Sequence, residues 1–183
     1  MLDLLDTHKH FLMPHIKRGC TAVDFTMGNG HDTLFLSRAV GENGKVYAFD
    51  IQQAALDSSR QLLEAHNAPK NYTLICDSHH KVKEYVDGKI QVGMFNLGFL
   101  PGGDKSITTL HETTIPAIQA AIEMLDRDGA LIIAVYPGHD EGTVEGKMVE
   151  ELLKTYDRSR ILTAKFSIVN SPESPFFFIV EKG

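Results

Sequence analysis

The amino-acid sequence predicts an α/β fold built on a mainly parallel seven-stranded sheet that closes with an antiparallel hairpin. Three observations carry that expectation. An apolar run ending at Asp24 passes through the turn Gly28-Asn29-Gly30 into a helical pattern, which is a β-α unit. Further strand-length runs, Lys45 to Asp50, Tyr72 to Cys76, Ile90 to Asn96 and Ala130 to Tyr136, alternate with helical stretches, as parallel strands joined by crossovers do. The last two strand-like runs, Ile161 to Val169 and Phe176 to Glu181, are joined by Ser171-Pro172-Glu173-Ser174-Pro175 without room for a helix, and so read as a hairpin.

Taken in order, Leu4, Leu5, His8, Phe11, Leu12 and Ile16 recur at helical spacing within an N-terminal segment of residues 1–20, with Pro14 bending or ending the helix. Strand Ala22 to Phe25 leads to helix Asp32 to Val40, which stops at Gly41 and carries Leu34, Phe35 and Leu36. Strand Lys45 to Asp50 precedes helix Gln53 to His66, whose apolar positions are Leu56, Leu62 and Leu63. A turn at Pro69 and Asn71 opens strand Tyr72 to Cys76. A helical segment, Lys81 to Val86, and Gly88 then lead to strand Ile90 to Asn96. Beyond the loop Leu97 to Lys105, a helix is expected from Ile107 to Leu125, with a break at Pro116. Asp126-Arg127-Asp128-Gly129 is a turn into strand Ala130 to Tyr136, and helix Thr143 to Tyr156 precedes the hairpin. No repeat, low-complexity tract or linker interrupts the chain, which reads as one domain over residues 1–183.

Composition narrows the function classes. The apolar runs are of strand length, short of a membrane span, and the N-terminus carries Asp3 and Asp6 where a secretory signal has bases. Two cysteines, Cys20 and Cys76, form no disulfide framework, which places the protein in a reducing cytoplasm. Nine histidines occur in no compact metal-ligand pattern. The net charge of −6 argues against a uniformly basic, nucleic-acid-coating surface. A local basic patch remains available from His8, Lys9, His10, His15, Lys17 and Arg18, with Lys81, Lys83 and Lys105.

The glycine turn carries the chemistry. A side chain at Gly28 or Gly30 would hold a ligand away from the backbone. Asp50 ends the next strand ~20 residues on, where a carboxylate accepts from the hydroxyls of an adenosine ribose. A dinucleotide fingerprint wants a third glycine where Thr33 stands, and Asp24 and Asp32 would repel a pyrophosphate. S-adenosylmethionine has no phosphate and is cationic at its sulfonium and ammonium groups, so acids beside the turn suit it. The candidate cofactor contacts are Asp24, Thr26, Gly28, Asn29, Gly30, Asp32, Thr33, Asp50, Gln52, Asp77, Ser78 and His79. For Asp77 and Ser78, an adenine contact and a helix N-cap are both open. After the fourth strand, Asn96-Leu97-Gly98-Phe99 stands where amine-methylating enzymes carry Asn or Asp, two prolines and an aromatic. A side-chain oxygen and a neighbouring carbonyl there aim an amine, and the ring stacks on a base. The competing reading is a plain Asn-Leu-Gly turn. In the loop Tyr136 to Gly142, His139 is either a general base or a polar contact. Asp104 and Glu141 are alternative partners for a cationic amine. The catalytic candidates are thus Asn96, Leu97, Phe99 and His139.

The segments Asp24 to Thr33, Gly44 to Gln52, Phe95 to Ser106 and Tyr136 to His139, taken together, resemble the YtqB/MnmM-like family of bacterial methyltransferases, over nearly the full chain. The resemblance implies a Rossmann-like class I methyltransferase fold and S-adenosylmethionine-dependent methylation of the 5-aminomethyl group of 2-thiouridine at the tRNA wobble position. It also implies a tRNA anticodon-arm partner and a homodimer. Two departures are Met27, where the family carries a small residue, and Phe99, where it carries tyrosine; stacking survives the second. Other readings are a methyltransferase of small amines and a non-catalytic cofactor- or RNA-binding module. An NAD-dependent oxidoreductase is disfavoured by Asp32 and Thr33.

Overall fold

A computed structural model describes residues 4–137 and 140–183. In chain order the elements are α1 (Leu4–Leu12), β1 (Thr21–Asp24), α2 (His31–Val40), β2 (Lys45–Asp50), α3 (Gln53–Ala65), β3 (Tyr72–Cys76), α4 (Val82–Tyr85), β4 (Ile90–Leu97), α5 (His111–Met124), β5 (Leu125–Val135), α6 (Asp140–Lys154), β6 (Ile161–Phe166) and β7 (Phe176–Lys182). The seven strands form one sheet in the order β3-β2-β1-β4-β5-β7-β6. The first five are parallel, and β7 runs antiparallel to both β5 and β6. The predicted hairpin is therefore present, with its second strand inserted between β5 and β6.

The period of two along each strand divides the core. On β5, Leu131, Ile133 and Val135 join Val23, Phe95 and the α5 and α6 residues Ile118, Ala121, Val149 and Leu153. Ala130, Ile132 and Ala134 face the other way, onto Leu4 and Leu12 of α1 and Leu36 and Val40 of α2. Gly93 in β4 is required by close packing, since a Cβ there would lie 2.7 Å from Leu131 and 2.9 Å from the Phe25 ring. Phe25 in turn stacks on Phe95 with centroids 4.1 Å apart. That stack fixes the chain where it leaves β1, at the rim of the sheet.

Several boundaries differ from the sequence expectation. Pro116 does not break α5; Pro116 and Glu112, whose carbonyl loses its helical partner, are both exposed, so water can serve it. The helix starts at His111 because residues 98–109 form a flap closed by a Phe99–Thr108 bridge and by Thr109 N–H donating to the Gly98 carbonyl. The expected turn at 126–129 is absorbed into β5: Leu125 pairs with Ile90 before a register shift, and Asp128 takes φ +60°, which Asp tolerates. Pro14 lies in a short 3-10 turn, Met13 to His15, that ends the N-terminal helix as expected. No helix among the described residues is long and apolar enough to cross a membrane.

Candidate active site

Parallel strands point their C-terminal ends the same way, and ligands of such sheets bind beyond those ends. A cavity of about 1110 Å³ lies there, lined by residues that follow β1 to β5: Phe25 to Asn29, Asp50 to Gln52, Asp77 to His80, Asn96 with Gly98 to Pro101, and Tyr136 with Pro137. Ordinary ligand pockets span ~300–1,000 Å³, so the space admits a nucleoside-sized cofactor and part of a second reactant.

The glycine turn forms one wall. Gly28, at φ +52°, donates its N–H to Asp50 Oδ2 at 3.0 Å, while Gln52 N–H donates to Asp50 Oδ1 at 2.9 Å. The carboxylate thus joins the turn to the end of β2 and keeps lone pairs for a ligand. Burial raises its pKa, against those two N–H bonds. Asn29 is held on both sides, accepting from Ser58 at 3.0 Å and donating to the Pro101 carbonyl at 3.2 Å, so the 98–109 flap rests on the turn. Gly30 caps α2 at φ +86° beneath this surface, against Ser59, and does not line the cavity.

Asp24 and Thr33, expected to touch the cofactor, instead lie under the turn. Asp24 is fully buried and accepts from Thr33 Oγ1 at 2.6 Å and Thr26 N at 3.2 Å. Their role is to brace the backbone, and the sequence could not separate a bracing acid from a ligand-facing one four residues before Gly28. Burial first, then the charge of Asp32, pushes the Asp24 pKa up to about 7. The folded state therefore keeps a proton that the unfolded chain, with an Asp pKa of ~3.9, has released. Its effect is a loss of stability as pH rises between those values. His79 acts oppositely in the same range: burial lowers its pKa to about 4, so stability is lost as pH falls from ~6.5. The difference isolates Asp24: the melting temperature of Asp24→Asn minus that of wild type is expected to rise between about pH 4 and about pH 7. Parallel melting curves across that range would remove the assignment.

His79 lines the cavity and is 8% exposed. Its Nδ1 lies 3.0 Å from the Phe25 carbonyl, which can only accept, so Nδ1 carries the proton. Nε2 is then a bare acceptor, buried and without a partner among the described residues, an arrangement suited to a donor such as an adenine amine. Asp77 also faces the cavity, but Lys81, then Tyr85, and the Ser78 N–H hold its pKa down at about 2. It caps no helix through its side chain, and Ser78 bonds His80.

Beside the turn, Asn96 is half-buried. Its N–H donates to Thr26 Oγ1 at 2.6 Å, and its Nδ2 donates to Asp32 Oδ2. Asp32 also pairs with Lys9 of α1 at 3.0 Å. Phe99, 37% exposed, lies at the lip with Lys105 over its ring at 5.5 Å. The Leu97 side chain, fully buried, faces the core between β4 and α5 and not the cavity. His139 lies outside the described residues.

Other expectations resolve differently. Asp104 accepts from its own turn at Ser106, and Glu141 accepts from His111 at 2.8 Å; neither is among the residues that line the cavity. The supposed basic patch is largely consumed: His8 is buried against Phe177, His15 meets Glu181, Lys81 meets Asp77 and Lys83 meets Glu123. Sequence reasoning missed α1 as a cavity wall, together with Glu173 and Pro175 of the β6–β7 turn. The signal for Lys9 was present, a cation one helical turn before Leu12, but nothing local pointed it at Asp32.

With this geometry in hand, the comparisons with known proteins agree. The family model described as "Putative rRNA methylase" matches residues 46–182. A chloroplastic tRNA (mnm(5)s(2)U34)-methyltransferase of Arabidopsis thaliana is 38% identical over 91% of the chain, which spans 65% of that relative's length. The crystal structure of a "putative rRNA-methylase" from Clostridium thermocellum superposes with a TM-score of 0.96 at 38% identity, covering 100% of this chain and 99% of that one. The structure of "a putative methyltransferase" from Streptococcus mutans, in complex with SAH, gives a TM-score of 0.90 at 36% identity, covering 100% of this chain and 99% of that one. Sheet order, rim cavity and glycine turn are those of the class I methyltransferase fold, and the chain belongs to the rRNA methylase family whose model it matches.

Proposed function

We propose that the protein is an S-adenosylmethionine-dependent RNA methyltransferase that N-methylates the 5-aminomethyl group of 2-thiouridine at the tRNA wobble position, acting in the cytoplasm. The carrying observation is one cavity lined together by the Gly28 turn, the Asp50 carboxylate, Asn96 and Phe99. The relatives support it: one is named for this tRNA activity, and another was solved with SAH, the demethylated form of the cofactor. Assembly as a homodimer belongs to the same proposal, on the family resemblance.

The chain's donors and acceptors fit the cofactor. Asp50 would take the ribose hydroxyls, His79 Nε2 the adenine amine, and Gly28 with Asn29 and the nearby Thr26 and Gln52 the remaining polar edge. Bound there, the cofactor supplies a methyl already activated by its sulfonium. The protein's contribution is then position and exclusion of water. Asn96 Oδ1 and the Leu97 carbonyl accept the amine's hydrogens, which aims its lone pair, and the Phe99 face stacks on the base. The amine reacts as the neutral form.

The test is transfer of labelled methyl from S-adenosylmethionine by purified protein. The expected result is about one methyl per tRNA carrying 5-aminomethyl-2-thiouridine and none on tRNA lacking that group, the stoichiometry of a single reacting amine. Methylation of small amines with no tRNA product, or cofactor binding with no turnover at all, would overturn the proposal.

A further inference from the structure

We infer that Asp32 is a positioning residue for the amine-accepting oxygen of Asn96, and that Lys9 of α1 completes the device. The inference rests on the role given to Asn96 above. Asp32, expected as a cofactor contact, lines the cavity, and both its oxygens are engaged by the protein: Oδ1 by Lys9 Nζ at 3.0 Å and Oδ2 by Asn96 Nδ2 at 2.5 Å. The Asp32 side chain is 13% exposed and that of Lys9 26%, so both bonds lie largely out of water.

The chemistry of the pair sets its direction. An asparagine amide has an accepting end and a donating end, of similar shape, and on its own can turn either way. An ionised carboxylate only accepts, so Asp32 compels Asn96 to turn its NH₂ inward and its Oδ1 to the other side. The Asn96 backbone is fixed separately, by its N–H donating to Thr26 Oγ1 at 2.6 Å. A substrate amine offers hydrogens, and a site presenting NH₂ to it would repel it. The Asp32 carboxylate is thus what makes residue 96 an acceptor. Lys9 pairs with Asp32 and, with its Nζ 5.6 Å from the centroid of Phe35 on α2, links α1 to the site wall.

The decisive variant is Asp32→Asn, which is nearly isosteric but accepts and donates, so that Asn96 is free to flip. We expect kcat on aminomethyl-uridine tRNA to fall on the order of tenfold, as for a misaligned reacting group, while S-adenosylmethionine affinity by calorimetry stays within about twofold. The swap Asp32→Asn with Asn96→Asp restores a donor facing an acceptor with an oxygen left toward the cavity, and is expected to regain most of the lost kcat. An unchanged kcat in Asp32→Asn, a parallel loss of cofactor affinity, or a swap no faster than the single variant each overturns the inference. A wild type that fails to methylate this tRNA refutes the functional proposal instead, and the orientation is still decided by NMR: the Asn96 side-chain amide proton should be shifted downfield by the carboxylate and lose that shift in Asp32→Asn. A signal that does not move overturns the inference.

Discussion

Replacing Gly30 by alanine is expected to lower folding stability by ~2–4 kcal/mol, measurable as a drop in the denaturant midpoint at unchanged slope. Two costs combine. The residue sits at φ +86°, where an L side chain is strained. The added Cβ would also lie 2.9 Å from Ser59 Cα and Cβ and 2.8 Å from its Oγ. Because the obstacle includes the α3 backbone, no rotamer change relieves it. The displacement would spread, since Ser59 Oγ donates to the Gly28 carbonyl at 3.0 Å and Ser58 holds Asn29. Cofactor affinity should therefore fall along with stability. A Gly30→Ala protein as stable as wild type would mean that α3 yields at this crossing and that the helix approach does not shape the turn.

Removing the carboxylate of Asp50 should weaken S-adenosylmethionine binding on the order of 100-fold by calorimetry, the worth of about two charged hydrogen bonds at ~1.5 kcal/mol each. The loss has two sources, the ribose contacts assigned to the carboxylate and the loosening of Gly28 and Gln52, whose N–H groups lose their acceptor. Asp50→Asn separates them. Its amide oxygen can keep one backbone N–H, but its NH₂ faces the second donor, so an affinity between those of wild type and Asp50→Ala is expected. Affinity within threefold of wild type in Asp50→Ala, on the order of 0.6 kcal/mol, would take the acid out of the cofactor site.

What could be read from the sequence follows from the range of the interactions involved. The alternation of strands and helices, the terminal hairpin and the clustering of Asp50, Asp77, Asn96 and Tyr136 at one rim were legible, because a sheet with right-handed crossovers brings successive strand ends together. Which acid faces the ligand was not. Asp24 and Asp50 both end strands beside the turn, yet one is sealed beneath it by Thr33 and the other stands in the wall. That difference depends on packing between α2 and the sheet, which no local pattern records. The contact between Lys9 and Asp32 spans 23 positions across two helices and was equally hidden. Pro116 misled for a related reason: helix propensity counts the missing N–H but not that the orphaned carbonyl faces water.

The flap of residues 98–109 touches both reactant compartments, resting on Asn29 through Pro101 while carrying Phe99 at its outer edge. In the proposed reading, a donor held by the glycine turn and a base stacked on Phe99 would both lie against this one flap. Whatever factor the donor then added to the grip on the proposed RNA substrate, the RNA would return to the donor, because coupling between two binding equilibria is reciprocal.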